Sequence, residues 1–214
     1  MTLTKDQKLA EFVGILLGDG SLCLRDGSNT NNRLKITLNK IDDVEYVDYV
    51  KKLILDLFGI EPKIHLRDGE NATDLFLFNK RIILYLVNEV GLNLSPKWNR
   101  AIIPTRFLSR ELGVYVIRGY FDTDGCIVTT NNNGTMYPRL EMKVSPSPMQ
   151  QQFVDLLNGY GFNFGVYQIG KGKVRIQLNG KKELKKWIEL IGFSNLKNLK
   201  KIKRFAQKPL NTYQ

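Results

Sequence analysis

Asp19 and Asp124 occupy equivalent places in two similar segments of this 214-residue sequence. Residues 12–20 and 117–125 are largely apolar up to a carboxylate near their end, and a glycine directly follows each aspartate. The two aspartates are 105 positions apart, which is about half of the chain. A period of this length is too long for a solenoid and fits two copies of one small domain. Two carboxylates brought together could bind a divalent cation.

Both segments are predicted to be helices that carry an acid in their last turn. This end is unfavourable for an acid, because the helix dipole leaves partial negative charge there. A single aspartate of this kind is more simply explained as a helix-end residue in an ordinary turn. Two in matching positions reverse that preference and favour a functional site.

Small residues recur four positions apart in both segments, at Gly14 and Gly18 and at Gly119 and Thr123. This spacing clears a groove along one helix face, so that a second helix can approach closely. If the two helices pack side by side and parallel, the two aspartates meet beside unpaired helix-terminal carbonyls. We expect an oxygen-rich, negative pocket that suits Mg²⁺. Such ions activate water and stabilise the leaving oxygen of a phosphodiester.

Asp122 is a third acid in the second segment, two residues before Asp124. Two residues correspond to about 200° around a helix, so Asp122 is predicted to point away from the pocket. Leu17 stands at the equivalent place in the first segment. A carboxylate role shared by both copies is therefore not expected at this position.

The surrounding elements predict an α+β fold made of two tandem copies with one element order. Each copy reads as helix, two strands, helix, two strands and helix, and one basic helix is added at the end. The first copy is assigned to residues 1–94 and the second to residues 108–214. The proline-containing segment 95–107 is assigned as the linker.

Local signals support these elements. Thr4 begins a capping box with Gln7, and Ser109 and Ser147 are predicted to cap two later helices. A polar, Gly- and Asn-rich stretch from Arg25 to Asn32 is expected between the first two strands. The two tryptophans, at positions 98 and 187, are expected to pack in the protein rather than to stack on bases.

Net charge is +11, and it is spread unevenly. Residues 1–104 hold 14 Lys and Arg against 14 Asp and Glu, whereas residues 105–214 hold 18 against 7. A basic excess of this size favours a polyanionic partner over a protein that is merely basic. Nucleic acid is favoured over membrane, since no amphipathic basic segment carries an exposed aromatic face.

The two cysteines, Cys23 and Cys126, have neither metal-ligand spacing nor a disulfide pattern, so a reducing compartment is expected. A secretory signal and a run of about 18 apolar residues are absent from the sequence. We therefore expect a soluble intracellular protein, either cytoplasmic or organellar.

Donor-rich side chains alternate with apolar ones on the predicted strands, so they share the sheet face opposite the core. Their chemistry suits phosphates and major-groove base edges, and acids are nearly absent from these rows, which favours DNA contact over a merely solvated face. The predicted DNA-binding residues are Arg33, Lys35, Thr37, Asn39, Lys63, His65 and Arg67 in the first copy, and Arg139, Glu141, Lys143, Lys173, Arg175, Gln177 and Asn179 in the second.

The two segments, taken with the element order around them, resemble the LAGLIDADG homing endonucleases in their single-chain, double-motif form. The second motif reads GYFDTDG over residues 119–125 and is a close match. The first reads GILLGDG over residues 14–20 and departs by having Leu17 in place of the first acid. The resemblance covers almost the whole chain.

This resemblance implies a pseudo-twofold saddle whose two antiparallel sheets face a long, asymmetric DNA duplex, with both strands cleaved across the minor groove. Asp19 and Asp124, with the carbonyls of Gly18 and Thr123, would bind Mg²⁺ or Mn²⁺, and Ca²⁺ would be a non-cleaving substitute. Four further polar residues are assigned around the metals by position, Asn39, Ser145, Lys80 and Lys181. The resemblance also implies a monomer encoded within an intron or intein.

Other functions stay open at this stage. The main alternative is a binding protein of the same fold, either a maturase that grips intron RNA or a DNA-binding regulator that does not cleave. Retention of both motif aspartates favours cleavage. An enzyme acting on a small molecule is disfavoured by the basic sheet rows.

Overall fold

Two copies of one α+β unit build the chain, as the sequence predicts. The computed structural model describes residues 3–24, 32–133 and 135–206. The first copy consists of α1 (Lys5–Leu17), β1 (Gly20–Cys23), β2 (Arg33–Asn39), α2 (Val44–Phe58), β3 (Lys63–Leu66), β4 (Ala72–Leu77) and α3 (Lys80–Leu84), which continues as a π-helical segment, Tyr85–Glu89. The polar stretch predicted from residue 25 to residue 32 lies, apart from Asn32, outside the described residues.

The second copy repeats this order and adds one helix. A 3₁₀ turn (Thr105–Phe107) precedes α4 (Arg110–Asp124), β5 (Gly125–Asn132), β6 (Thr135–Val144), α5 (Met149–Gly159), β7 (Phe164–Gln168), β8 (Val174–Asn179), α6 (Gly180–Leu190) and α7 (Leu196–Ala206). The β5–β6 hairpin is long, because pairing continues out to Asn132 and Thr135.

Each copy contributes one antiparallel four-stranded sheet, with strand orders β1-β2-β4-β3 and β5-β6-β8-β7. In β2 the apolar residues Leu34, Ile36 and Leu38 are buried, and the polar residues between them are not. One face of the sheet therefore packs on the helices, and the other faces away from them. The buried side chains of both copies form one continuous hydrophobic core.

The predicted helix starts are confirmed at two places and wrong at a third. Thr4 and Gln7 form a reciprocal capping box at the start of α1, and the Ser109 hydroxyl accepts from the backbone N–H of Leu112 at 3.2 Å. Ser147 does not cap α5, because its hydroxyl donates instead to the Ser145 carbonyl at 3.1 Å. A helix can begin without a side-chain cap when its tertiary packing is strong.

The segment between the copies is bound to both of them. Backbone hydrogen bonds join Ser95 N–H to the Leu22 carbonyl at 2.9 Å and Asn99 N–H to the Pro146 carbonyl at 2.7 Å. This segment is therefore held in place by both copies and is not a loose connection between them. Across the described ranges, no helix is both long and apolar enough to cross a membrane.

Candidate metal and nucleic-acid site

Helices α1 and α4 pack against each other at backbone distance. A Cβ added at Gly14 would lie 2.8 Å from the Tyr120 nitrogen and closer still to the Val116 carbonyl oxygen. A Cβ added at Gly119 would lie 3.0 Å from the Ile15 nitrogen, so the requirement for glycine is reciprocal. Only residues without a side chain allow two helices to approach this closely. The groove predicted from the small-residue spacing is therefore present on both helices.

The ends of the two helices meet at Gly18 and Thr123. A Cβ added at Gly18 would lie 3.2 Å from the Thr123 Cβ and 3.4 Å from the Asp124 Oδ2. The Asp124 carboxylate thus lies beside the residue that immediately precedes Asp19. The Thr123 hydroxyl turns back along its own helix and donates to the Tyr120 carbonyl at 2.9 Å. The same hydroxyl is also the atom nearest to the Cβ added at Gly18, so it lies between the helix ends beside the Asp124 carboxylate.

A buried ion pair joins the same two helices away from the aspartates. Arg118 of α4 donates from Nη2 to the Glu11 Oε2 of α1 at 2.6 Å, and the Glu11 side chain is fully buried. Breaking such a pair strands a charge in the interior, which is strongly destabilising. The pair therefore holds the two helices in register along their shared seam.

The Asp19 and Asp124 carboxyls influence each other through their charges. Burial raises the pKa of Asp19 to about 7, and the negative charge of Asp124 acts in the same direction. Burial also raises the pKa of Asp124, whereas the charges of Lys97 and Lys173 lower it. Asp124 keeps contact with solvent although protein atoms surround much of its carboxyl, and Asp19 is half-buried, so a solvated ion can reach both. A cation placed between them would relieve the unfavourable negative charge.

Lys97 is a member of this site that the sequence did not reveal. Its ammonium donates to the carbonyls of Leu16, Leu17 and Gly18 at 2.6, 2.8 and 2.8 Å. These are unpaired carbonyls at the end of α1, where a cation offsets the helix dipole. Burial lowers the pKa of Lys97 to about 8, and the charges of the two motif aspartates oppose that shift.

Two more lysines place positive charge near the Asp19 and Asp124 carboxyls. Lys173 lowers the pKa of Asp124, and its Nζ lies 5.4 Å from the centroid of the Trp98 ring. Trp98 is 44% exposed, so the expectation that it packs inside the protein is wrong, whereas the other tryptophan, at position 187, is fully buried. Lys197 of α7 lowers the pKa of Asp19.

The four polar residues assigned around the metals separate into two groups. Asn39 is the last residue of β2, and Ser145 directly follows β6. Both lie at the strand ends nearest the motif aspartates, because Gly20 pairs with Ile36 and the matching glycine of the second copy pairs with Met142. The Asn39 Oδ1 accepts from two backbone N–H groups of its own turn, at 2.8 and 2.9 Å, so its carboxamide is already engaged.

Lys80 and Lys181 lie at the other ends of the sheets. Strand β4 runs away from the motif helix and ends at Leu77, and β8 does the same and ends at Asn179. Both lysines are exposed just beyond those ends, at the starts of α3 and α6. The sequence assigns both lysines to the surroundings of the metals, but the direction of β4 and β8 places them away from the motif aspartates. Lys97, Lys173 and Lys197 carry the charge near the aspartates instead.

The first sheet presents the predicted basic row on the face away from the helices. Arg33, Lys63 and His65 are exposed, whereas Lys35 and Thr37 are half-buried. The side chains between them on β2 point into the core, so these five share one surface.

An acid missed by the sequence also lies on this face. Asp74 of β4 stands opposite Thr37 and His65, and it is 4% exposed. Its carboxylate accepts from the Thr37 hydroxyl at 2.6 Å and from Arg67 at 2.8 and 3.0 Å. Arg67 also donates to Glu70 at 2.9 Å, so its guanidinium is largely occupied within the protein. The expectation that acids are nearly absent here needs that correction.

The second sheet carries the corresponding row, which contains amide side chains beside its basic ones. Its exposed or half-buried members are Arg139, Lys143, Lys173, Arg175 and Asn179. Two other predicted residues of this row are buried: the carboxylate at position 141 pairs with Arg139 at 2.5 Å, and the amide at position 177 donates to the Asn179 Oδ1 at 2.8 Å. These contacts fix the orientation of the side chains in this row.

The last helix, α7, belongs to the second copy but contacts the first. Asp122 points away from the motif pair, as predicted, and accepts from the backbone N–H groups of Ser194 and Asn195 at 2.6 and 3.0 Å. The Asn195 amide donates to the Asp43 Oδ1 of the first copy at 2.8 Å. Lys197 pairs with the same carboxylate at 2.6 Å. Asp122 therefore anchors the start of α7, and α7 ties the second copy to α2.

Known proteins resemble this chain in sequence and in fold. Residues 112–192 match the sequence profile of the LAGLIDADG-like domain. The chain superposes on the homing endonuclease I-DmoI in complex with DNA and Mn, with a TM-score of 0.61 and 16% identity, over 89% of this chain and 99% of the other. The chain has the LAGLIDADG fold in its single-chain, two-copy form. The resemblance predicted from the motifs is confirmed.

Other solved structures are also similar to this chain. The homing endonuclease I-WcaI bound to its DNA recognition sequence matches with a TM-score of 0.61 and 16% identity, over 94% of this chain and 87% of the other. Full-length DUF199/WhiA from Thermatoga maritima matches with a TM-score of 0.63 and 14% identity, over 96% of this chain and 61% of the other. At these identities the shared property is the fold.

One curated relative is a much longer protein. The DNA polymerase of Thermococcus kodakarensis is 25% identical over 219 residues, which cover 95% of this chain. The chain spans 12% of the length of that relative.

Proposed function

We propose that this chain is a site-specific DNA endonuclease that binds a long asymmetric duplex and hydrolyses both strands across the minor groove. The observation that carries the proposal is the pairing of Asp19 and Asp124 at the abutting ends of α1 and α4. The Gly18 Cα lies so close to α4 that an added Cβ would sit 3.4 Å from the Asp124 Oδ2. A pair of carboxylates with raised pKa, open to solvent and ringed by lysines, suits hydrolysis of a phosphodiester.

The donor set fits a hard divalent cation. Two carboxylates and the adjoining carbonyls of Gly18 and Thr123 supply oxygen ligands, as Mg²⁺ requires. The Gly18 carbonyl already accepts from Lys97, but a carbonyl oxygen has two lone pairs and can serve both. A divalent cation supplies an activated water and stabilisation of the leaving oxygen. Mg²⁺ is the proposed ion, with Mn²⁺ as an active and Ca²⁺ as an inactive substitute.

The two sheets are proposed to hold the duplex. Their outward faces carry Arg33, Lys35 and Lys63 in the first copy and Arg139, Lys143 and Arg175 in the second. Such donors position a protein on phosphates and reach base edges in the major groove. The two faces differ in sequence, so the preferred duplex is asymmetric, and one chain carries both halves of the site. A monomer is therefore the proposed active form.

Cleavage of a randomised duplex library tests the proposal. The wild type is incubated with Mg²⁺, Mn²⁺, Ca²⁺ or a chelator, beside Asp19→Asn, Asp124→Asn and the control Asp48→Asn, which alters an exposed carboxylate of α2. We expect breaks in both strands with Mg²⁺ or Mn²⁺ for the wild type and the control. The two motif variants should bind the selected duplex without cutting it. Cutting that persists in either motif variant contradicts the proposed site.

A second candidate is a DNA-binding protein of the same fold that does not cleave. The chain shares its fold with DUF199/WhiA over 96% of its length, as well as with homing endonucleases. Selective binding of a duplex with no cutting in any divalent ion would support this function. Binding of intron RNA in preference to duplex DNA would support a maturase instead.

A further inference from the structure

Two phenylalanines form an apolar patch on the outward face of the first sheet. Phe76 and Phe78 stack with ring centroids 5.6 Å apart and an interplanar angle of 20°. Phe78 is 47% exposed and Phe76 is half-buried. An exposed aromatic pair on a polar sheet face calls for an explanation, because large apolar patches usually mark a binding surface.

Cations surround this aromatic pair. The Arg33 guanidinium lies 5.8 Å from the Phe76 centroid, and the Lys63 ammonium lies 6.0 Å from the Phe78 centroid. The His65 ring meets Phe76 edge-on at 6.4 Å. The rings therefore lie within the basic row that the proposed function places against DNA, rather than on a face where another apolar surface would dock.

The second sheet carries amides at the equivalent positions. Gly20 pairs with Ile36, and Gly125 pairs with Met142, which puts the two sheets in the same register. Phe76 stands opposite Lys35, and the equivalent residue opposite Glu141 is Gln177. Two residues further on, Phe78 corresponds to Asn179. The same two positions are thus apolar in one copy and polar in the other.

We infer that Phe76 and Phe78 read the C5-methyl group of a pyrimidine in the half of the duplex bound by the first copy. The inference rests on the proposed function. Within the major groove, the apolar group that base pairs present is the thymine C5-methyl, and 5-methylcytosine carries the same group. Asn179, the exposed amide of the second copy, suits adenine, which offers a donor and an acceptor together. The two halves of the site therefore differ in the chemistry of readout at equivalent positions.

Removal of single methyl groups tests this inference. A preferred duplex is first selected from the randomised library in Ca²⁺, and each thymine of the first half is then replaced by deoxyuridine. Loss of one buried methyl contact should weaken wild-type binding about four-fold at the position that meets the rings. At the same position, cytosine should bind weakly and 5-methylcytosine should restore binding, which separates the methyl group from the rest of the base.

Matched variants link the effect to the rings. Phe78→Asn installs the residue of the second copy, and it should bind the thymine and deoxyuridine duplexes equally. Asn179→Phe makes the reverse change and should create a methyl preference in the other half. The inference would be overturned if the wild type bound the thymine and deoxyuridine duplexes equally. It would also be overturned if Phe78→Asn lost as much affinity as the wild type when thymine is replaced by deoxyuridine. Either result would leave the endonuclease proposal standing. Failure to select any duplex would overturn both.

Discussion

Lys97 closes the end of the first motif helix, where its Nζ lies 2.8 Å from the Gly18 carbonyl oxygen. The same ammonium contacts two preceding carbonyls and faces the charges of Asp19 and Asp124. One side chain from the segment between the copies thus completes a helix terminus and balances the acidic pair.

We expect Lys97→Met to lower the free energy of unfolding by about 1–3 kcal/mol, because buried carbonyls lose a charged donor. Loss of the positive charge should also raise the pKa of Asp19 above its value of about 7. Urea unfolding measures the first effect, and carboxyl titration by NMR measures the second. Lys182→Met, at an exposed lysine of α6, is the control and should change neither quantity. An unaltered Asp19 titration in Lys97→Met would contradict the assigned contact.

The glycines on the helix seam should not tolerate a methyl group. Gly14→Ala and Gly119→Ala place a Cβ against the backbone of the opposite helix, so each should destabilise the protein by about 3 kcal/mol or more. Gly159→Ala is a matched control in α5, because nothing lies within 4 Å of the position of its added Cβ. Chemical denaturation of the three variants checks the order, and a control as unstable as the seam variants would exclude the packing explanation.

Stability should depend on pH through Asp19. The folded-state pKa is raised to about 7 from 3.8, so between about pH 4 and pH 7 the folded state retains a proton that the unfolded state has released. The free energy of unfolding therefore falls as pH rises through this window. In Asp19→Asn, the free energy of unfolding should decrease less steeply with pH when unfolding is measured without divalent ions. Asp48→Asn should retain the wild-type slope, and identical slopes in all three proteins would disprove the assignment.

The contact between α7 and the first copy should depend on Asn195. Asn195→Ala removes hydrogen bonds to Asp43 and to the Asp122 carbonyl, at 2.8 and 3.1 Å, in a fully buried position. Unpaired buried acceptors cost about 1–3 kcal/mol, so we expect a loss of that size. Amide hydrogen exchange in α7 should accelerate as well. Asn158→Ala, at an exposed site of α5, should leave exchange in α7 unchanged; equal protection in both variants would refute the proposed anchor.

The second copy should supply more of the salt-dependent affinity for DNA. Residues 105–214 carry the whole net charge of +11. Each lost phosphate contact reduces the slope of log K against log salt by about 0.9. Lys143→Gln with Lys173→Gln should therefore reduce the slope more than Lys35→Gln with Lys63→Gln. Equal reductions in the two double variants would contradict an unequal division.

The sequence predicted the elements that repeat and missed those that do not. Asp19 and Asp124 can be predicted because each ends a similar apolar helix, and each copy of the repeat supports the assignment made in the other. Lys97 has no such signal, because it lies in the segment between the copies and reaches the site only through tertiary folding. Asp74 was missed for a similar reason: its burial and its bond with Arg67 depend on strand register, which a sequence pattern fixes poorly.

Strand direction explains the other difference. Lys80 and Lys181 follow the fourth strand of their copies, as the sequence indicates. An antiparallel sheet returns its strands to alternate ends, so residues after the second and fourth strands lie far apart. Asn39 and Ser145 therefore lie at the end of each sheet nearest the motif aspartates, and the two lysines lie at the opposite end.

The course of α7 sets a limit on engineering by recombination. This helix belongs to the second copy in sequence, yet it pairs with the first through Lys197 and Asp43 and through Lys200 and Glu45. A chimera that joins the first copy to the second copy of another protein would lose these partners. Such a hybrid needs its terminal helix transplanted together with α2, since the unit of exchange does not end where the repeat ends.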